Sequence, residues 1–163
     1  EEMKKVAAFF KKNVLREVEE KEFFEQIPGL RSILGDRPVL RALHFFEEEK
    51  RVEKQVEALE EGDFQRFLEL VKESGNSSFK YLQNIYINRD EQNQSMSVAL
   101  GASESILQEH GVSRVHGGGF AGTIQVFVEN SFVEEYRKAI DHIFGKGSCH
   151  VLKVRQVGGI KAI

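Results

Sequence analysis

The sequence predicts an α+β fold, and three observations carry that prediction. Hydrophobic residues recur at helical spacing through the first two thirds of the chain. Beyond residue 111 the spacing changes to the two-residue alternation of half-buried strands. Between two of these strand-like runs lies "HGGGFAG", a stretch almost devoid of side chains. At 163 residues, 40% of them hydrophobic, the chain can close a core, and thirteen Phe with no Trp make that core phenylalanine-rich.

The first helical pattern is Val6, Phe10, Val14 and Val18, and it begins almost at Glu1. A start inside a helix without an initiator Met suggests an excised piece of a longer chain. Pro28-Gly29 is expected to break this pattern. Asp36 and Pro38 then supply start chemistry, a capping carboxylate and a proline where no N–H is needed. A long helix is expected from there to about Glu61, with Ala42, Phe45, Val52, Val56 and Leu59 in one stripe. Gly62 ends it, and Asp63 caps a helix carrying Phe64, Phe67, Leu68 and Val71. Ser77 to Tyr86 reads as a shorter helix, Ile87 to Asp90 as a turn. Glu91 to His110 reads as a helix with Met96, Leu100, Ser103 and Leu107 aligned, terminated by Gly111.

Val112 to His116 and Thr123 to Val128 are expected strands, the second with Ile124, Val126 and Val128 on one face. Ser131 and Glu134 have the spacing of a capping box ahead of the helical stripe Phe132, Tyr136, Ile140 and Ile143. Gly145 and Gly147 stop that helix. Ser148 to Val154 is an expected third strand, and Val157 to Ile163 a short fourth. The reading is therefore one domain over 1–163, mostly helical over 1–111 and β–glycine loop–β–α–β over 112–163. It places helices on one face of an antiparallel sheet. The second part is most of a split βαβ, ferredoxin-like unit whose first strand would come from residues before Glu1.

Composition narrows the function. A net charge of −3 supplies no basic field for nucleic acid or a membrane surface. No apolar run approaches the ~18 residues of a membrane span, and the acidic start is no signal peptide. The cytoplasm is the default location, and the matches Asn76-Ser77-Ser78 and Asn93-Gln94-Ser95 to a glycosylation signal are chance. Cys149 is the single cysteine, expected buried and inert, so no disulfide forms within the chain. The five histidines lack metal-ligand spacing, and no Gly-x-Ser-x-Gly elbow surrounds Ser74, Ser77 and Ser78. Phe79, Tyr81 and Tyr86 are expected as core or interdomain contacts. No catalytic and no metal-binding residue is assigned.

Gly117, Gly118 and Gly119, followed by Phe120, Ala121 and Gly122, pose the main question. Serial glycines permit positive φ and let successive N–H groups converge on an anion, phosphate being the usual one. The other reading is a tightly packed or flexible hairpin loop without a ligand. A phosphate-loop motif is excluded, because Gly122 is followed by Thr123 rather than by Lys and a hydroxyl residue. A dinucleotide fingerprint is excluded because a strand, not a helix, follows. Arg41, His44, Glu48 and Arg51, at i, i+3, i+7 and i+10, line one side of a helix. They form either an anion-binding or catalytic row, or a salt-bridged seam against a neighbouring element.

"SRVHGGGFAGTIQVFV" resembles the third motif of the GHMP small-molecule kinases, in the galactokinase version whose core reads GGGFGG. "RALHFFEEEKRV" is similar to the galactokinase pattern R-A-x-H-x-x-x-E-x-x-R-V. "ALEEGDFQRFLELVKES" is similar to A-L-x-x-G-D-x-x-x-F-x-x-L-x-x-x-S. The resemblance implies the C-terminal domain of a GHMP-type kinase, with Gly117, Gly118, Gly119, Phe120, Ala121 and Gly122 facing the ATP phosphates across an interdomain cleft. It implies ATP and Mg²⁺ in the intact enzyme, a sugar substrate, and an N-terminal kinase domain as partner. His116 departs from a Thr frequent in the family, and Ala121 from a glycine. The family's G-E-H-x-D-Y and P-x-x-x-G-L-S-S-S-A type stretches and its candidate Asp base are absent from these residues. The chain alone is therefore expected to be inactive and to bind no cofactor tightly. A non-catalytic sugar or ATP sensor of the same fold is the alternative, as is a kinase for N-acetylgalactosamine or another small molecule.

Overall fold

The computed structural model describes residues 1–120 and 122–154. Ala121 and the expected strand over 157–163 lie outside the described residues. Within them the order is α1 (Glu2–Phe9), α2 (Glu20–Glu25), α3 (Ile27–Leu34), α4 (Asp36–Glu60), α5 (Phe64–Ser77), α6 (Ser95–Leu107), β1 (Gly111–Val115), β2 (Ile124–Val128) and α7 (Val133–Phe144). This is the expected α+β class, helices first and an antiparallel β hairpin after them. Strands β1 and β2 form an antiparallel pair in which Ser113 faces Val126 and Val115 faces Ile124. None of the helices among the described residues is long and apolar enough to cross a membrane.

Three buried clusters hold these elements. The first joins the N-terminal helices to α4 through Val6, Phe23, Leu30, Ala42 and Phe46, with the Phe23 and Phe46 rings 4.9 Å apart. The second gathers Ile85, Met96 and Val115 beneath the start of α6. The third packs Leu107 of α6 against Tyr136 and Ile140 of α7, with Val126 and Val128 of β2 beside them. Helices α6 and α7 thus share the sheet face that the alternation of Ile124, Val126 and Val128 marks. Phe127 points the other way and meets Phe67 of α5 edge-on at 5.6 Å.

Several local expectations are corrected. The break expected at Pro28-Gly29 falls at Gln26, between α2 and α3; Pro28 itself sits in the first turn of α3, where its missing N–H costs nothing. Asp36 is not a cap but the first residue of α4, and its carboxylate accepts from Arg31 Nε at 2.6 Å. Asp63 does cap α5, accepting from the Arg66 amide at 2.9 Å. Ser77 to Tyr86 is not a separate helix: α5 runs into one wide turn, Ser78–Leu82, closed by the left-handed Gln83. Helix α6 starts at Ser95 instead of Glu91, and left-handed Gln108 rather than Gly111 reverses the chain after it. Gly111 instead opens β1, where a Cβ would stand 2.2 Å from the Phe127 carbonyl oxygen.

Ser131 makes no capping box, because the amide of Phe132 closes a turn onto Glu129 and Phe132 itself precedes α7. Ser148 to Val154 forms no strand among the described residues. Its first amide groups are spent elsewhere: the N–H of Cys149 donates to Asp141 Oδ1 at 3.1 Å. Val151, Leu152 and Val154 are exposed accordingly. Cys149 is half-buried rather than buried, and burial followed by the Asp141 charge raises its thiol pKa, which keeps it protonated and inert.

Candidate functional site

The glycine stretch closes the hairpin between β1 and β2. Pairing continues one step past the strands, with the His116 amide donating to Thr123 O at 3.1 Å. Beyond that point the backbone leaves the extended region. Gly117 (φ 65°), Gly119 (φ 73°), Phe120 (φ 53°) and Gly122 (φ 79°) are all left-handed. Glycine takes such positive φ without strain, which is what the serial glycines permit here. His116, Gly117, Gly118, Phe120 and Gly122 are exposed, so the loop stands at the surface and is not packed inside.

The loop is nevertheless anchored. The Phe120 amide donates to Asn84 O at 3.0 Å. Gly119 lies directly on Asn84, and a Cβ there would sit 2.1 Å from the Asn84 carbonyl oxygen. Gly119 is therefore demanded by the fold. Gly118 is different: its φ is not left-handed, and among the described residues nothing lies within 4 Å of the place its Cβ would occupy. Asn84 was not found from the sequence, since "YLQNIY" carries no phosphate-loop signal. Left-handed Gln83 delivers it under the loop. Asn84 is 3% exposed, and neither its Oδ1 nor its Nδ2 has a partner among the described residues.

The row on α4 resolves into a seam. Arg41 pairs with Glu2 of α1 at 2.6 Å and donates to Leu82 O at 3.1 Å. His44 Nδ1 lies 2.9 Å from Ser77 Oγ of α5. Glu48 accepts from Ser74 Oγ and from Arg51, and Arg114 of β1 approaches it at 3.9 Å. Arg51 also reaches Glu73 at 3.6 Å. Arg41 ties α4 to α1, and His44, Glu48 and Arg51 tie it to α5, with Arg114 of β1 beside Glu48, as the second of the two readings requires. Burial lowers the pKa of His44, with Glu48 opposing and Arg51 and Arg114 assisting, so the ring is neutral at pH 7.

Among the described residues no group of three His, Cys, Asp or Glu could hold a metal ion. His142 and His150 are exposed and apart from the loop. What the site offers is an exposed, glycine-rich main chain at the end of a paired hairpin.

No family model matches the chain. It is 33% identical over 140 residues to a galactokinase of Glaesserella parasuis serovar 5 (strain SH0165), covering 86% of this chain and 34% of that protein. A galactokinase of Thermotoga maritima is 34% identical over 141 residues, covering 80% of this chain and 38% of the relative. For a galactokinase of Mannheimia succiniciproducens the identity is 32% over 134 residues, covering 82% and 33%. The chain is a relative of sugar kinases of this type. Its likeness is to galactokinases in particular, and it spans about a third of the length of the curated relatives it matches.

Proposed function

We propose that residues 1–163 are the C-terminal domain of a galactokinase-like enzyme that transfers the γ-phosphoryl group of ATP to galactose. In this reading another domain grips ATP and Mg²⁺, and the loop from Gly117 to Gly122, with Ala121 between, faces the phosphates across the cleft. The observation that carries it is the exposed glycine loop, left-handed at four described positions and seated on Asn84. Gly118 adds weight, because the fold places no demand for glycine there and close approach of a ligand supplies one.

Main-chain N–H groups suit phosphate oxygens. The loop has no carboxylate, so Mg²⁺ belongs with the other domain. Phosphoryl transfer needs acceptor, donor and metal brought together, which one loop cannot do. The chain alone is therefore inactive.

Calorimetric titration of Mg–ATP tests this, into the chain alone and into the longer protein that carries it. The expected results are weak or undetectable binding to the first and saturable binding to the second. Tight, Mg²⁺-dependent binding to the chain alone would contradict the reading.

A further inference from the structure

The seat of the glycine loop has two features that the fold alone leaves unexplained. The first is Phe120, left-handed at φ 53°, a conformation that strains a bulky residue. The other non-glycine residues of positive φ among those described, Lys11, Gln83 and Gln108, each follow a helix or helical turn. There a left-handed residue is an ordinary way to end the element. Phe120 ends no helix, and its ring is 55% exposed, so burial does not offset the strain. What holds it in place is its N–H, which donates to Asn84 O at 3.0 Å.

The second feature is the Asn84 side chain. A buried carboxamide is costly to leave unpaired, yet Oδ1 and Nδ2 both lack a partner among the described residues. Both atoms are shut off from the surface, so neither meets a ligand directly. Gly119 lies over them, its would-be Cβ only 2.7 Å from Nδ2. An unused donor therefore stands under the peptide that joins Gly119 to Phe120.

A trans peptide is planar, and its N–H and C=O point in opposite directions. Because the Phe120 N–H points inward at Asn84, the Gly119 carbonyl points outward and presents an oxygen that repels anions. Turning this one peptide through about 180° reverses both groups. The Gly119 carbonyl then faces the idle Nδ2, and the Phe120 N–H faces out. The same turn carries Phe120 from the left-handed region into extended backbone, while Gly119 accepts the change in its ψ. The bond to Asn84 O is exchanged for one from Asn84 Nδ2. One turn relieves the strain and pairs the donor.

We infer that Asn84 is a positioning residue: its carboxamide holds the Gly119–Phe120 peptide turned, N–H outward, when a phosphate binds at the loop. It acts through the Gly119 carbonyl and does not touch the ligand. The free protein keeps the amide inward. Phosphate tips the exchange, because only the turned form offers that N–H for a charge-assisted hydrogen bond. The inference rests on the nucleotide reading of the loop.

The test uses the longer kinase, ¹⁵N-labelled and titrated with Mg–ATP. Expected at saturation are a downfield shift of the Asn84 side-chain amide protons and a displaced Phe120 amide signal. Asn84→Leu removes the donor at similar volume and also removes the buried unpaired group, so Tm should equal or exceed that of the wild type. Its KM for ATP should rise at least about tenfold, with kcat changed by less than about twofold. A purely structural role predicts the reverse, a lower Tm with an unchanged KM, and that result would overturn the proposal. Shifts at Gly117 to Gly119 with the Asn84 side chain unmoved would overturn it alone and leave the nucleotide reading standing. No shift at any loop amide would overturn both.

Discussion

Gly117, Gly118, Gly119 and Gly122 meet different physical demands within six positions. Gly119 must be glycine twice over, for its φ of 73° and for its contact with Asn84. Gly119→Ala should therefore lower stability by more than about 2 kcal/mol, read from urea midpoints. Gly117 and Gly122 answer to φ alone. His44 gives a second prediction at this scale. Its pKa falls below the ordinary 6.5 on folding, chiefly through burial. The unfolded chain then binds the proton first as pH falls, so stability held above pH 6.5 is lost progressively below it. His110 acts oppositely, since its hydrogen bond to Glu129 raises its pKa, but its exposure keeps that effect small. His44→Gln should shrink the drop in Tm between about pH 7.5 and about pH 5.5. An unchanged drop would mean that His44 does not titrate with unfolding.

At the scale of elements, two helical glycines predict opposite outcomes. Gly75→Ala pushes α5 off β1 and should cost about 1–2 kcal/mol, because the atoms it meets are backbone or close to it. Gly101→Ala meets nothing and should stabilise by about 0.5–1 kcal/mol. Thermal melts of the two variants check both signs. Helices α4, α5 and α7 and the hairpin were legible in the sequence because apolar periodicity and Gly62-Asp63 punctuation agree there. The expected third strand was not, because alternation shows a face and not a partner. Backbone hydrogen bonds from Cys149, then Gly147 and Ser148, lower the Asp141 pKa, and those amides are lost to a ladder. The long stripe on α4 misled in part: Val52, Val56 and Leu59 are exposed, since α1 to α3 pack only on its first half.

Over the whole molecule, the site was half legible. The loop glycines announce themselves in "HGGGFAG", whereas Asn84 beneath them is set by a left-handed turn that no local pattern encodes. The row on α4 reads in sequence as an anion-binding row or a salt-bridged seam, and its partners Ser74, Ser77 and Arg114, which make it a seam, come from elements that only the fold brings beside it. That seam and the second and third buried clusters pack the hairpin against α4, α5, α6 and α7. A domain without sugar or nucleotide machinery should show no galactose phosphorylation by itself, and a coupled assay of ADP release checks this at high enzyme concentration.

The central claim is that a triphosphate held elsewhere comes close to the loop's bare main chain. The most direct measurement is the KM for ATP of the longer kinase carrying Gly118→Val, alongside its Tm. The account predicts a KM raised at least about tenfold with Tm unchanged, because only a bound ligand meets the added side chain. A KM equal to that of the wild type, in a folded variant, would contradict it.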